Sequence, residues 1–367
     1  MSVAVHPTSL LKLLAVLGYI CGSAGMNAQG TASSPGVLKL SEFIYQEAPF
    51  PSAHASTIAE TPARTLIAAW FGGTSEGSND VQIWLSRKPA GMDWLMPMAL
   101  THTPGMPAWN PVLFQEGTKT WLFFKIGPSP REWVGGYRTS EDDGMNWTPV
   151  TYFPAGLLGP VRTKPLILSD GTWLAGTSVE AGYRGDTPAD APYRSWAVWV
   201  ERSTDRGATW STHGPVTVPG ELYGVIQPTL WQTSTGEVRM FMRSTERIGR
   251  IVASSSHDGG RTWAPGHPTA LPNPNAGIDV ARLGDGRIVL IYNHLPHGRN
   301  AIHLAVSRDE GETWSDPILL EEGEGEFSYP AVIQTLDGLV HVTYTWKRSH
   351  IRHLVIDPEK LPGDTHR

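Results

Sequence analysis

One eight-residue pattern, Ser-x-Asp-x-Gly-x-x-Trp, recurs along this chain and narrows the folds that the chain can adopt. The four clear copies begin at Ser140, Ser203, Ser256 and Ser307, and a degenerate copy runs from Ser86 to Trp94. In such a pattern the aspartate accepts hydrogen bonds from turn amides, the glycine adopts a positive φ, and the tryptophan folds back between sheets. The repeat therefore predicts a series of similar β-units, each carrying one tight turn.

A second repeat is independent of this box. Pairs of apolar β-runs flank short turns, which lie near Ala63, Gly117, Gly171, Gly236, Gly286 and Gly338. The turns are 50 to 65 residues apart, a period typical of propeller blades, and a box follows each of the first five. We therefore predict an all-β fold, a six-bladed β-propeller spanning residues 36–357, followed by a C-terminal tail at 358–367. The β-run from Val37 to Tyr45 can supply the missing outer strand of the last blade and so close the ring.

The amino terminus predicts export from the cytoplasm. An apolar run from Leu10 to Ile20 is followed by small residues, which indicates a signal peptide at residues 1–28, cleaved near Ala28. The mature protein is expected to be secreted or periplasmic, with no membrane segment and as a monomer. The single cysteine, Cys21, lies in the signal segment, so we expect no disulfide, and no metal or cofactor is indicated. A net charge of −6 argues against a nucleic-acid partner.

Strand direction predicts where a site should lie. Antiparallel strands reverse at every connection, so hairpin turns and boxes share one face of the disc, while first strands begin on the other. The residues at those beginnings form a polar ring around the central channel: His54, Asn110, Lys164, Gln227, Asp279 and Tyr329. Loops on the same face add Glu76, Asp80, Arg243, Asn293, His294 and Arg299, together with Lys125, Arg131, Glu180, Lys347 and Arg348. Carboxylates, cations and histidines at a ring centre favour a polar, anionic ligand.

Each of these side chains also has a purely structural interpretation. A polar residue at the start of an inner strand can simply satisfy open backbone groups, and Asn293 and His294 can be turn formers. The box aspartates are expected to be structural, because strand direction places them on the opposite face. Trp70, Trp109 and Trp133 can be sugar-stacking platforms or ordinary core residues.

The box is the Asp-box, and from Val37 to Ile356 the chain resembles the sialidase superfamily, in particular the sialidase-like BNR-repeat proteins that lack the full catalytic set. The resemblance implies a six-bladed propeller that holds a sugar carboxylate with three arginines, with a Tyr–Glu pair as nucleophile and an aspartate as acid/base. Arg243 matches the second arginine and Arg299 is a candidate for the third. The sequence departs from the pattern elsewhere: the first arginine falls at Ala53, the Glu partner at Gln227 and the nucleophile at Phe327, two residues before Tyr329. The acid/base position falls next to Glu76, with Asp80 nearby.

These observations lead to an exo-acting glycoside hydrolase that removes a terminal acidic sugar from a glycan. Arg243 and Arg299 would bind the carboxylate, Glu76 would be the acid/base, and Tyr329 the nucleophile or proton donor. One alternative is a lyase acting at a uronic acid, with His54 and Tyr329 as base and acid. Another is a non-catalytic glycan-binding propeller.

Overall fold

The computed structural model describes residues 36–182, 195–221 and 223–362. The predicted signal peptide lies outside these residues. In the described part of the chain, six four-stranded antiparallel sheets are present, and the predicted six-bladed propeller is confirmed. The inner strand of the first blade contacts the inner strands of both the second and the last, so the blades form a closed ring. Within the described residues, no helix is long and apolar enough to cross a membrane.

The strands follow one another in chain order within each blade. The outermost strand of the last blade comes first in the chain and is β1 (Leu38–Phe43). Blade one contains β2 (Ser52–Glu60), β3 (Leu66–Gly73), β4 (Gln82–Lys88) and β5 (Met98–Ala99). Blade two contains β6 (Ala108–Glu116), β7 (Lys119–Ile126), β8 (Val134–Ser140) and β9 (Thr151–Tyr152). Blade three contains β10 (Leu166–Ile167), β11 (Trp173–Ala181), β12 (Ser195–Ser203) and β13 (Ser211–Val216).

The second half of the ring repeats this arrangement. Blade four contains β14 (Val225–Gln232), β15 (Val238–Ser244), β16 (Arg250–Ser256) and β17 (His267–Pro272). Blade five contains β18 (Asp279–Arg282), β19 (Ile288–Tyr292), β20 (Ala301–Ser307) and β21 (Ile318–Glu322). Blade six contains β22 (Phe327–Gln334), β23 (Val340–Trp346) and β24 (His350–Ile356), completed by β1.

The four clear boxes form the expected turns. In the box that begins at Ser307, the serine hydroxyl donates to Asp309, the amide of Gly311 donates to Ser307, and Trp314 Nε1 donates to the Gly311 carbonyl. Gly311 has a φ of +104°, and a Cβ there would lie 2.5 Å from the ring of Trp231 in blade four. The box therefore needs glycine both for its backbone conformation and for close contact with the preceding blade.

The predicted closing strand is present. β1 pairs antiparallel with β24, with Leu38 opposite Ile356 and Phe43 opposite Arg352. The predicted tail begins with a 3-10 helix, Pro358–Lys360, and Leu361 is then buried in the core of blades five and six. The propeller fold thus extends a few residues past the predicted boundary at 357.

A largely buried polar cluster joins β1 to blade one and to the rest of its own blade six. Glu42 Oε1 accepts hydrogen bonds from Lys88 Nζ at 2.7 Å and Trp94 Nε1 at 2.9 Å, both in blade one. On its other side it contacts His353 Nδ1 at 2.9 Å, and His353 contacts His341 at 2.9 Å. Burial alone would raise the pKa of Glu42, but the bonds from His353 and Lys88 lower it to about 2. A charged glutamate therefore holds the two ends of the ring together.

We expect the histidines of this cluster to make the propeller acid-sensitive. Burial, followed by the charge of His353, lowers the pKa of His341 from 6.5 to about 4. The unfolded chain binds this proton as the pH falls below 6.5, whereas the folded chain does not until about pH 4. Stability is therefore lost across that window, by roughly 3 kcal/mol for this shift. The free energy of unfolding, measured with urea, should fall between pH 7 and 4 by roughly 3 kcal/mol less for His341→Gln than for the wild type. The exposed His257→Gln is the control, and an unchanged pH profile in His341→Gln would contradict the assignment.

Candidate functional site

The site is built on irregular positions in the inner strands. In blades two, four and six, the inner strand contains a β-bulge with one non-glycine residue at positive φ: Asn110 at 38°, Gln227 at 53° and Tyr329 at 53°. Blade one has the same bulge at Ala55, directly after His54. Such backbone conformations are costly and cluster at functional sites, where they re-aim side chains. Here they lie next to the propeller axis, where residues of different blades can meet.

Tyr329 lies at the centre of the cluster, and its hydroxyl is held by two other side chains. Arg243 Nη1 donates to Tyr329 Oη at 2.6 Å and to Gln227 Oε1 at 3.1 Å. Gln227 Nε2 lies 3.5 Å from the same hydroxyl. Arg243 Nε donates to Asn275 Oδ1 at 2.8 Å, which fixes the plane of the guanidinium. Blades four and six thus position one tyrosine hydroxyl and one arginine against each other.

Two further arginines surround the Tyr329 ring. The guanidinium carbons of Arg162, Arg243 and Arg299 lie 5.1, 5.6 and 5.8 Å from its centroid. Arg162 is fully buried and donates to the carbonyls of Ser56 and Pro330. Burial lowers the pKa of Arg162 to about 10, so it stays positive at neutral pH. The floor of the site is therefore strongly cationic.

Glutamates hold the arginines at the rim. Glu326 accepts from Arg299 Nη1 at 3.0 Å and from Arg348 Nε at 2.8 Å, and Arg348 Nη1 also donates to Glu76. Burial would raise the pKa of Glu326, but the bonds from Arg348 and Ser328 lower it, so it is an anion. In the described residues, this cluster combines four guanidinium groups with two carboxylates. It is net positive in a chain whose net charge is −6.

His54 is a buried histidine without a hydrogen-bond partner. Its side chain is 1% exposed, its ring centroid lies 4.1 Å from that of Tyr329, and neither ring nitrogen has a partner among the described residues. Burial is the main cause that lowers its pKa well below 6.5, and the charges of Arg348, Arg299, Arg162 and Arg243 act in the same direction. His54 is therefore a neutral imidazole facing the central tyrosine.

Lys164 and Asp279, predicted at the mouth of the channel, lie deeper within it. The bulge residues Gln227 and Tyr329 come nine positions before their turn glycines, whereas Lys164 and Asp279 come seven before theirs. Two residues along a strand amount to about 7 Å. Asp279 accepts from Lys164, Thr229 and the amides of Val280 and Val332, so it ties together blades three to six. Lys164 lines cavities of about 510 and 710 Å³ at the opposite end of the channel.

Three other predicted residues also have structural bonds. Asn293 donates to the carbonyls of Ala301 and Phe327, and His294 pairs with the hydroxyl of Tyr292. Asp80 accepts from the amide and hydroxyl of Thr74 and so closes the loop that carries Glu76. Their bonds order the loops around the cluster, as the structural interpretation expects. Asn110 occupies the blade-two bulge next to Trp109.

Sequence reasoning missed Arg162, Asn275 and Glu326. The distance of nine residues before the turn glycine that selects Gln227 and Tyr329 in blades four and six also selects Arg162 before Gly171 in blade three, although in blade two the bulge residue Asn110 lies seven before Gly117. In blade five the same distance selects Gly277, which packs against Tyr329, since a Cβ there would lie 3.5 Å from that residue. Asn275 and Glu326 lie in connecting loops, where no repeat marks them.

Two departures from the family pattern have a structural counterpart. Phe327, the residue aligned with the nucleophile, is 1% exposed in the apolar core of blades five and six, whereas Tyr329 brings its hydroxyl to the centre. Ala53, aligned with the first arginine, donates its amide to the carbonyl of Arg348 at 2.8 Å. The backbone of the β23–β24 connection thus lies beside the position where blade one lacks an arginine, and the Arg348 guanidinium contacts Glu326 and Glu76. This contact joins residues almost 300 positions apart, so the local sequence does not predict it.

The described residues contain no group of three His, Cys, Asp or Glu side chains that could hold a metal ion. The arrangement places a tyrosine hydroxyl, a neutral histidine and several guanidinium groups around one small space. Such groups bind carboxylates and transfer protons.

Comparison with known structures gives the same fold with little sequence identity. A protein of unknown function from Dyadobacter fermentans superposes with a TM-score of 0.70 at 19% identity, covering 88% of this chain and 99% of the other. A Hadza microbial sialidase gives 0.70 at 18%, covering 85% and 66%. An intramolecular trans-sialidase from Ruminococcus gnavus gives 0.67 at 11%, covering 88% and 98%. No curated protein sequence matches the chain.

The family is shown by a model that matches most of the sequence. The BNR repeat-like domain model aligns with residues 64–342, from the hairpin turn of blade one to the middle of blade six. The aligned region includes the four clear boxes, the three bulge residues Asn110, Gln227 and Tyr329, and the arginines at 162, 243 and 299. This protein is therefore a sialidase-like propeller that belongs to the BNR repeat-like domain family.

Proposed function

We propose that this protein is a secreted or periplasmic exo-acting glycoside hydrolase that removes a terminal acidic sugar from glycans. The observation that carries the proposal is the hydroxyl of Tyr329, bonded by Arg243 at 2.6 Å in the middle of a net-positive arginine cluster. A concentration of guanidinium groups in an acidic protein favours an anionic ligand. The sialidase structures that share this fold make sialic acid the first substrate to test.

The carboxylate of the sugar would be bound by Arg243, Arg299 and Arg348. Guanidinium forks match carboxylates with two parallel hydrogen bonds, which fixes both position and orientation. In the structure Glu326 accepts from both Arg299 and Arg348, so these two forks are held toward a common carboxylate group. The carboxylate of the sugar would bind these arginines on the side that faces Tyr329.

Tyr329 would attack the anomeric carbon and form a covalent glycosyl intermediate. A neutral hydroxyl meets less repulsion from an anionic sugar than a carboxylate nucleophile would. Gln227, at the position of the family's glutamate, cannot take up the hydroxyl proton, so the neutral His54, whose ring lies against that of Tyr329, would accept it as the bond to the sugar forms. Glu76, at the rim of the site, would protonate the leaving oxygen and later activate water.

Hydrolysis of fluorogenic glycosides tests the proposal. The panel contains an α-sialoside, a β-glucuronide and a neutral β-galactoside, each incubated with the purified mature chain. We expect release from an acidic substrate and none from the galactoside. Saturable binding of acidic glycans without release of any sugar would instead identify a glycan-binding propeller and would overturn the hydrolase assignment.

A second candidate function is β-elimination at a uronic acid. The observation that favours it is His54, a buried and neutral imidazole whose nitrogens have no partner in the described part of the chain. His54 would remove the proton next to the carboxylate, which the arginines would neutralise, and Tyr329 would protonate the leaving oxygen. Elimination leaves a double bond that absorbs ultraviolet light. Uronate-containing polysaccharides followed by absorbance therefore separate it from hydrolysis.

The position of Arg348 leads to a prediction of its own. If Arg348 replaces the arginine missing at Ala53, Arg348→Ala should weaken binding of the acidic substrate, with an increase in KM of about tenfold, the value of one charge-assisted bond. Arg282→Ala is the matched control, because Arg282 pairs with Glu310 on the opposite face. Equal KM values for Arg348→Ala and the control would remove Arg348 from the site.

A further inference from the structure

A cavity of about 480 Å³ lies between blades two and three, outside the arginine cluster. Its walls include Trp133 in the loop before β8, Trp199 on β12, and Val179 and Thr177 on β11. Both tryptophans are half-buried. Its volume is within the range of small-molecule pockets, and flat indole rings are surfaces on which sugar rings pack.

Within the described residues, two polar atoms in the wall of this cavity have no hydrogen-bond partner. Thr177 is 2% exposed, and its Oγ1 is buried without a partner in the described part of the protein. The same holds for Arg131 Nε, one loop away. Buried hydrogen-bonding groups are seldom left unpaired in native proteins unless a ligand or water completes them. The Thr177 hydroxyl can donate or accept a hydrogen bond and Arg131 Nε can donate one. Both groups therefore suit the hydroxyl groups of a sugar.

The cavity is joined to the central site by a short series of contacts. Trp133 meets Trp109 edge to face, with the ring centroids 6.3 Å apart. The Trp109 ring lies under Gly77, 3.2 Å from where a Cβ would be, and Gly77 follows Glu76. Glu76 is the residue assigned to protonate the leaving oxygen. A glycan whose terminal sugar lies over Tyr329 would therefore extend past Glu76 toward Trp133.

The charge of the cavity differs from that of the centre. Both oxygens of Glu201 accept backbone amides, from Leu158 and Gly159 at 2.7 Å each, and burial raises the pKa of this carboxyl. Among the described lining residues Arg131 is the cation, beside Glu180 and Glu201, whereas three guanidinium groups surround Tyr329 and a fourth, Arg348, lies at the rim. We propose that this cavity binds a neutral sugar further along the glycan, on the leaving-group side of the acidic sugar. The inference rests on the proposed function.

Binding of lactose, a neutral disaccharide, to the full mature chain tests this site without any turnover. Saturation-transfer NMR is expected to show contact with the wild type at millimolar lactose. The Trp199→Ala variant should lose at least tenfold in affinity. Thr177→Val keeps the shape of the side chain and removes its hydroxyl, so it should remain fully folded and weaken lactose several-fold. Arg243→Ala should bind lactose like the wild type.

The outcomes separate this inference from the proposed function. If acidic glycosides are not cleaved but lactose binding still depends on Trp199 and Thr177, the sugar site stands and the hydrolase assignment falls. If acidic glycosides are cleaved but lactose does not bind, or binds Thr177→Val and Trp199→Ala as well as the wild type, the cavity is not a sugar site. Lactose binding lost in Arg243→Ala and kept in Trp199→Ala would place the neutral sugar in the centre and overturn the proposal.

Discussion

Replacing Tyr329 with phenylalanine is expected to abolish turnover of the acidic substrate, by at least about a thousandfold, while the propeller stays folded. The substitution removes one oxygen and keeps the ring, which packs against His54 and among three arginines. If the hydroxyl is the nucleophile, no other group in the described cluster replaces it, because Gln227 is an amide and Glu76 lies at the rim. Binding of the substrate should be nearly unchanged, since the carboxylate ligands remain.

The measurement is kcat and KM for the fluorogenic substrate, with thermal unfolding of each variant. Tyr152→Phe is the control, because Tyr152 is half exposed on the outer strand β9 of blade two. A trapped glycosyl intermediate, detected by mass spectrometry of the quenched wild type and located on Tyr329, would establish covalent catalysis. Turnover by Tyr329→Phe within tenfold of the wild type would exclude the hydroxyl from the reaction.

The fold could be predicted because its signals are local. Each box is an eight-residue turn whose serine, aspartate, glycine and tryptophan all bond within the turn, and each hairpin needs one residue at positive φ. Such patterns repeat wherever the blade repeats, so their number gives the number of blades. The closing strand followed from the same count, because one blade lacked its fourth strand.

The site could be predicted only in part, because it depends on contacts between distant segments. Gln227 and Tyr329 are found by their distance from turn glycines, and Arg243 by its place near the end of the second strand of blade four. The contact between Arg348 and Ala53, and the contacts of Glu326 with Arg299 and Arg348, depend on the conformations of the connecting loops. No repeated pattern predicts those loop conformations, so Glu326 could not be identified from the sequence.

Removing Arg243 should be the second most damaging change for activity. Arg243→Ala is expected to lower kcat/KM for the acidic substrate by about 10²–10³-fold, the effect of losing a charge-stabilising donor at a reacting centre. Arg243 donates both to Tyr329 and to Gln227, so its loss would affect recognition of the carboxylate and also the orientation of the nucleophile. Both kcat and KM should therefore change.

Arg243→Lys separates charge from geometry, because lysine keeps the positive charge but lacks the planar fork that bonds Tyr329, Gln227 and Asn275 together. We expect it to recover binding more than kcat. Stability should fall little in either variant, because four guanidinium groups repel one another and loss of one offsets part of the lost hydrogen bonding. Steady-state kinetics and thermal unfolding of both variants, with Arg282→Ala as the control, test these expectations. An Arg243→Ala enzyme with unchanged kcat/KM on acidic substrates would show that the arginine cluster is structural and that the anionic sugar binds elsewhere.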